Sequence, residues 1–134
     1  MNDRLVIAQS RAPARWHEYI ALPPRPGAAQ AFDAIVQALI DNFGAQEIWV
    51  FGSCAYGHPT RDSDVDMMIV RSAQPGCLRP SWEALRVIRP YHGLMGIELF
   101  VITPELWRQR QQRPNGVYLD VVRHGRLIYA RRPE

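Results

Sequence analysis

The amino-acid sequence predicts a small α+β domain, in which a mixed β-sheet carries helices mainly on one face. Three observations support this fold class. An amphipathic pattern runs from Ala28 to Phe43, short apolar runs rich in β-branched and aromatic residues recur, and helix start signals follow the last of these runs. At 134 residues, the chain is long enough for one ordinary domain and too short for two of typical size.

The chain begins with a predicted arm over residues 1–27, followed by the folded domain over residues 28–134. Four of the eleven prolines lie between Pro13 and Pro26, which favours an extended path. The arm contains the apolar stretch Trp16–Ile20, which is expected to pack on the domain, a sister subunit or a partner. An ordered tether is the favoured interpretation, and a clamp on a partner is a further expectation.

The first half of the domain predicts one helix and two strands. Apolar residues from Ala28 to Phe43 recur at helical spacing, and Gly44 takes the position that commonly ends a helix. The predicted strands are the apolar runs Ile48–Phe51 and Met67–Val70, with a short helical turn over 54–57 and a loop between them.

The second half predicts three more helices and two more strands. Ser81 is the predicted N-cap of a helix that ends at Arg89, before Pro90. Thr103 followed by Pro104 is a strong helix start. The remaining elements are a strand over Ile97–Ile102, a helix over Gly116–His124 and a short edge strand over Arg126–Ala130.

The loop between the first two strands carries the candidate chemistry. Side chains alternate along a strand, so Asp64 and Asp66 are expected on one face, roughly 7 Å apart. Two carboxylates in this position repel each other, and Mg²⁺ accepts such oxygen ligands readily. At the other end of the loop, Gly52 allows a close backbone approach and Ser53 offers a hydroxyl and an amide, which suits a phosphate. Together these features predict a nucleotide site.

The spacing of these residues resembles a known family. Gly52-Ser53, followed after ten residues by Asp64-x-Asp66, is similar to the signature of the DNA polymerase β-like nucleotidyltransferase superfamily, in particular its minimal nucleotidyltransferase branch. Glu98, inside an apolar run, matches the third carboxylate of that family, where Asp is commoner but Glu is also found. The resemblance covers residues 30 to 130, approximately.

The resemblance implies the palm-like nucleotidyltransferase fold and a two-metal reaction. Asp64 and Asp66 would bind two Mg²⁺ ions, Glu98 would bind the second ion and act as general base, and Gly52 with Ser53 would hold the β- and γ-phosphates. The implied reaction transfers a nucleoside monophosphate, AMP from ATP, to a hydroxyl. Nearby loop residues are weaker candidates for contacts with nucleotide or acceptor, and ordinary surface positions explain them equally well: Tyr56, His58 and Arg61.

Small members of this family resemble the antitoxins of pairs with HEPN toxins, which implies a toxin tyrosine as acceptor. Two alternatives remain open: a small-molecule acceptor of the aminoglycoside type, and an inactive module that binds a partner by contact alone. The residues also allow simpler interpretations. Asp64 and Asp66 can form a solvated acidic turn, and Glu98 can pair with an arginine.

Composition excludes several other classes. The sixteen basic residues are all Arg, so the Gly52–Gly57 spacing lacks the lysine that a P-loop requires. A net charge of +3, with arginines spread along the chain, disfavours nucleic-acid binding. Cys54 and Cys77 have no metal-binding spacing and are expected to be free thiols, Cys54 packed beneath the loop. The absence of a long apolar run predicts a cytoplasmic protein without membrane contact, and homo-oligomerisation is left open.

Overall fold

A computed structural model describes residues 14–131 of the chain, and they form a four-stranded sheet with five α-helices. The strands are β1 (Glu47–Phe51), β2 (Val65–Val70), β3 (Ile97–Ile102) and β4 (Arg126–Ala130). The α-helices are α1 (Ala28–Ala38), α2 (Ser53–Tyr56), α3 (Pro80–Ile88), α4 (Pro104–Gln112) and α5 (Gly116–His124). Short 3₁₀ helices cover Trp16–Tyr19 and Arg89–Leu94, and a π-helical turn over Leu39–Phe43 continues α1.

The sheet is mixed, in the order β3-β2-β1-β4. β1 pairs antiparallel with β2 and with β4, whereas β2 and β3 run parallel. The parallel pair is possible because the chain crosses over through α3 between the two strands. The predicted α+β class with a small mixed sheet is confirmed.

Both faces of the sheet are covered. Ile48 and Val50 point into a larger core with α1 and α3, because side chains alternate along β1. Trp49 points the other way, into a smaller core with Trp107 of α4 and Val121 of α5. α1 and α3 cover one face and α4 and α5 the other, so the expectation of helices mainly on one face is corrected.

The described part of the predicted arm packs on the domain. Trp16 is 3% exposed within the larger core, and the backbone N–H and ring of His17 both contact the carboxylate of Asp33 in α1. The Ala21 N–H donates to the Cys54 carbonyl at 2.8 Å. Trp16 is thus unavailable as a clamp on a partner, whereas Tyr19 of the same stretch is 44% exposed. Residues 1–13 and 132–134, which the predicted arm and domain include, lie outside the described residues.

The starts of α3 and β2 differ from the sequence prediction. α3 begins at Pro80 with Arg79 in the N-cap position, and Ser81 is not a cap: its hydroxyl accepts a hydrogen bond from the Val101 N–H of β3 at 3.1 Å. The π-helical turn after α1 ends where expected, at Gly44 with φ 78°. β2 starts at Val65 rather than at Met67, so that Asp66 lies within the strand.

Candidate active site

Three carboxylates meet where β2 begins. Asp64 immediately precedes β2 and Asp66 is its second residue, so the two share a face of the strand. In the parallel pair of β2 and β3, Asp66 is the direct partner of Glu98. On its other side Asp66 pairs with Phe51, the last residue of β1, which leads into Gly52. The pairing thus places the acidic residues next to the Gly52-Ser53 turn.

The charges of this cluster act on one another. Burial, reinforced by the negative charges of Glu98 and Asp64, raises the pKa of Asp66 from 3.8 to about 6. Asp64 and Glu98 are exposed, so a ligand from solvent can reach them. Among the side chains that the structure describes, no ion pair includes Asp64, Asp66 or Glu98. The interpretation of Glu98 as a partner of an arginine therefore has no support in this part of the chain.

Two glycines give the carboxylates their space. A Cβ on Gly52 would overlap Asp66 Oδ2, and a Cβ on Gly96 would overlap Asp64 Oδ1. Gly52 also has φ 72° and ψ −157°, a backbone conformation that is essentially restricted to glycine. Its role is therefore double: it turns the chain from β1 into α2, and it lets the acidic side chains approach the turn.

The turn is held from the other side by the junction of α5 and β4. The Gly52 N–H donates to Asp120 Oδ2 at 3.2 Å, and Arg126 Nε donates to the Ala55 carbonyl at 3.1 Å. The ring of Tyr56 lies against that of His124, with 4.6 Å between their centroids. We call these three contacts the α5 clasp.

Sequence reasoning missed Asp120. It contributes to the negative potential at Asp66, and its other oxygen, Oδ1, lies 3.2 Å from His124 Nδ1, one helical turn along α5. The four-residue spacing of Asp120 and His124 in a predicted helix could have indicated that they interact. The approach of Asp120 to Gly52 could not be predicted, because it is a contact between distant parts of the chain.

The remaining candidates lie around the turn. Cys54 is fully buried, its thiol 3.6 Å from the Asp64 carbonyl, and burial raises its pKa to about 11. The thiol is therefore unreactive, and the prediction that Cys54 packs beneath the loop is confirmed. Tyr56 is exposed in the α5 clasp, and His58 and Arg61 are exposed on the loop that follows.

The donor set suits a hard divalent cation. Carboxylate oxygens are the preferred ligands of Mg²⁺, and a cation beside Asp66 would offset the burial and the neighbouring negative charges that raise the pKa of Asp66. Within residues 14–131, no three His, Cys, Asp or Glu side chains are arranged as a ready-made single-ion site. Nucleotide phosphates and water can supply the further ligands that a Mg²⁺ ion needs.

One family model matches part of the chain. The family model described as a nucleotidyltransferase domain matches residues 33–76, a stretch that includes Gly52, Ser53, Asp64 and Asp66 but ends before Glu98. No curated protein matches the sequence at a significant level.

Solved structures show the fold. One chain of a toxin–antitoxin crystal structure with AMP-PNP is similar, with a TM-score of 0.50 and 22% identity, over 72% of this chain and 71% of that chain. A mutant of the toxin–antitoxin MntA-HpeT has a TM-score of 0.47 and 19% identity, over 74% and 73% of the two chains. The toxin–antitoxin MntA-HepT has a TM-score of 0.44 and 17% identity, over 76% and 72%. Similarity to a nucleotidyltransferase domain is thus found over residues 33–76, and the first of these structures shares the fold.

No helix in residues 14–131 is both long and apolar enough to cross a membrane. The free state of the two thiols is confirmed, since neither Cys54 nor Cys77 forms a disulfide.

Proposed function

We propose that this protein is a Mg²⁺-dependent nucleotidyltransferase that transfers AMP from ATP to a hydroxyl group. The observation that carries the proposal is the pairing of Asp66 with Glu98 beside the Gly52 turn, in a chain whose residues 33–76 match a nucleotidyltransferase domain. Three carboxylates that repel one another lower the stability of a protein and bring no advantage to one that only binds a partner. In phosphoryl chemistry, such carboxylates can hold metal ions.

The roles follow from position. Asp64, Asp66 and Glu98 would hold two Mg²⁺ ions, which supply charge stabilisation to the phosphates and the leaving group. Gly52 and Ser53 would orient the β- and γ-phosphates through amide and hydroxyl groups. Glu98 would accept the proton of the acceptor hydroxyl, whose oxygen forms a bond to the α-phosphorus as the bond to pyrophosphate breaks.

The proposed acceptor is a tyrosine of a partner toxin of the HEPN type, which would make this chain its antitoxin. The fold is shared with a protein crystallised as a toxin–antitoxin with AMP-PNP. Glu98 lies exposed on an edge strand, where a macromolecular acceptor can approach it. The outer surface of α3 and the loop before it add apolar side chains suited to a protein partner, because Trp82 of α3 and Leu78 of the loop are 63% and 91% exposed.

The test is a labelling reaction. The protein, Mg²⁺ and ATP labelled in the α-phosphate are incubated with a purified HEPN-type toxin as the candidate acceptor, with Glu98→Gln as the matched inactive control. We expect label on the partner, and mass spectrometry should place AMP on a tyrosine. Label found only on aminoglycosides would favour the small-molecule alternative. Tight complex formation with no label on any acceptor would instead identify a binding module.

A further inference from the structure

Asp120 occupies a backbone donor that the proposed function needs. Its Oδ2 accepts the Gly52 N–H at 3.2 Å, in the same turn that is proposed to hold phosphate. A carboxylate oxygen and a phosphate oxygen are both anionic acceptors, so either can accept a hydrogen bond from such an amide. The Gly52 N–H cannot make a full hydrogen bond to both at once.

The position of Asp120 is maintained by its surroundings. Its Oδ1 is 3.2 Å from His124 Nδ1, and its side chain is 30% exposed, which leaves it room to rotate. The other contacts of the α5 clasp, Tyr56 with His124 and Arg126 with Ala55, are made by residues other than Asp120. The turn can therefore keep its shape when Asp120 leaves the Gly52 amide, and His124 can retain the carboxylate.

We propose that Asp120 takes the place of a phosphate oxygen on the Gly52 amide and must release it when the nucleotide binds. This inference rests on the proposed function, because it assumes that the Gly52 turn holds phosphate. Asp120 is then a positioning residue: it holds the turn in its binding conformation without nucleotide, and its charge opposes a triphosphate that carries no cation. The affinity for free nucleotide is lowered as a result.

The test compares Asp120→Asn with the wild-type protein. Asparagine keeps the size and the oxygen acceptor, so the turn stays supported, but the negative charge is removed. The probe is AMP-PNP, titrated calorimetrically in EDTA and in Mg²⁺. Asp41→Asn is the matched control, since Asp41 is exposed after α1 and contacts Gln37. We expect Asp120→Asn to bind AMP-PNP about tenfold more tightly in EDTA, with a smaller gain in Mg²⁺, because one unit charge near the phosphates is gone.

A second measurement follows the hydrogen bond of the Gly52 N–H by NMR. The Gly52 amide resonance should shift when AMP-PNP is added to wild type, and should start from a different position in Asp120→Asn. Asp41→Asn should behave as wild type in both experiments.

The possible outcomes separate the inference from the proposed function. If wild type binds AMP-PNP and Asp120→Asn binds it no more tightly, Asp120 does not compete with phosphate and the inference is wrong. Weaker binding of Mg²⁺ and AMP-PNP by Asp120→Asn would also overturn it, because Asp120 would then be a ligand. If neither protein binds AMP-PNP under any condition, the proposed function itself fails.

Discussion

Asp66 and Glu98 are direct partners across the parallel strands β2 and β3, close enough to share a proton. This pairing lowers the stability of the metal-free protein, but it brings two proposed metal ligands together. With both groups ionised, the folded chain holds like charges together, which lowers its stability. A proton or a cation between them removes that repulsion.

The first prediction concerns the pH dependence of stability. The pKa of Asp66 is raised from 3.8 to about 6 in the folded protein, so between these values the folded state binds more protons than the unfolded state. The free energy of unfolding therefore falls as pH rises through this range and stays lowered above it. We expect Asp66→Asn to raise the melting temperature by a few degrees at pH 8 without metal, and to change it little at pH 4.

Asp41→Asn, at an exposed carboxylate after α1, serves as the control and should leave the melting temperature within about one degree at both pH values. Destabilisation by Asp66→Asn at pH 8 would show that Asp66 makes a favourable contact rather than a repulsive one. Scanning fluorimetry across the pH range is sufficient for the measurement.

The second prediction concerns ligand binding. Mg²⁺ with AMP-PNP at about 100 times its dissociation constant should stabilise the wild type by about 2.7 kcal/mol. Asp64→Asn combined with Asp66→Asn should abolish this shift, since both proposed metal ligands lose their charge. Asp62→Asn, at an exposed position in the same loop, should retain it. Full stabilisation of the double variant would place the nucleotide elsewhere.

Much of the fold was predictable because it depends on local pattern. The apolar run Ile97–Ile102 forms β3 with the predicted bounds, and Thr103 caps α4 by accepting the Leu106 N–H at 3.3 Å. Ser81 was misassigned because a serine before a helical run has the same appearance whether its hydroxyl caps the helix or binds a neighbouring strand.

The long-range part could not be predicted. The proximity of Gly52 to Asp64 and Asp66 was expected from chain spacing, but the register that pairs Asp66 with Glu98 depends on how β3 aligns with β2. Asp120 reaches Gly52 only because α5 packs on the second face of the sheet. The apolar stretch around Trp16 was expected to pack on the domain, a sister subunit or a partner, and only the structure shows that Trp16 enters the larger core.

The third prediction separates an enzyme from a binding module. Glu98→Gln keeps the size of the side chain but removes the charge and the basic oxygen. We expect transfer of AMP to fall by at least about 100-fold, with the circular dichroism spectrum unchanged. Glu98→Asp should retain part of the activity, because the carboxylate remains and only its reach is shortened. Transfer by Glu98→Gln at the wild-type rate would exclude a role for Glu98 as a base.

The last prediction uses two glycines with positive φ. Gly44 has φ 78° and ψ 33°, a left-handed conformation that strains an alanine by about 1 kcal/mol, whereas Gly52 has φ 72° and ψ −157°, where an alanine is strained more. Their surroundings also differ: a Cβ on Gly44 meets no atom within 4 Å, whereas a Cβ on Gly52 would overlap Asp66 Oδ2. Gly44→Ala is therefore a control for an alanine at positive φ, to which Gly52→Ala adds displacement of the carboxylate.

Both Gly44→Ala and Gly52→Ala should lower the melting temperature, but only Gly52→Ala should abolish AMP transfer and the stabilisation by Mg²⁺ with AMP-PNP. The physical reason is that the new methyl group must push Asp66 away from its position opposite Glu98. Activity is measured with labelled ATP at a temperature where both variants are folded by circular dichroism. Equal activity of the two variants under these conditions would mean that transfer does not require Asp66 in its observed position.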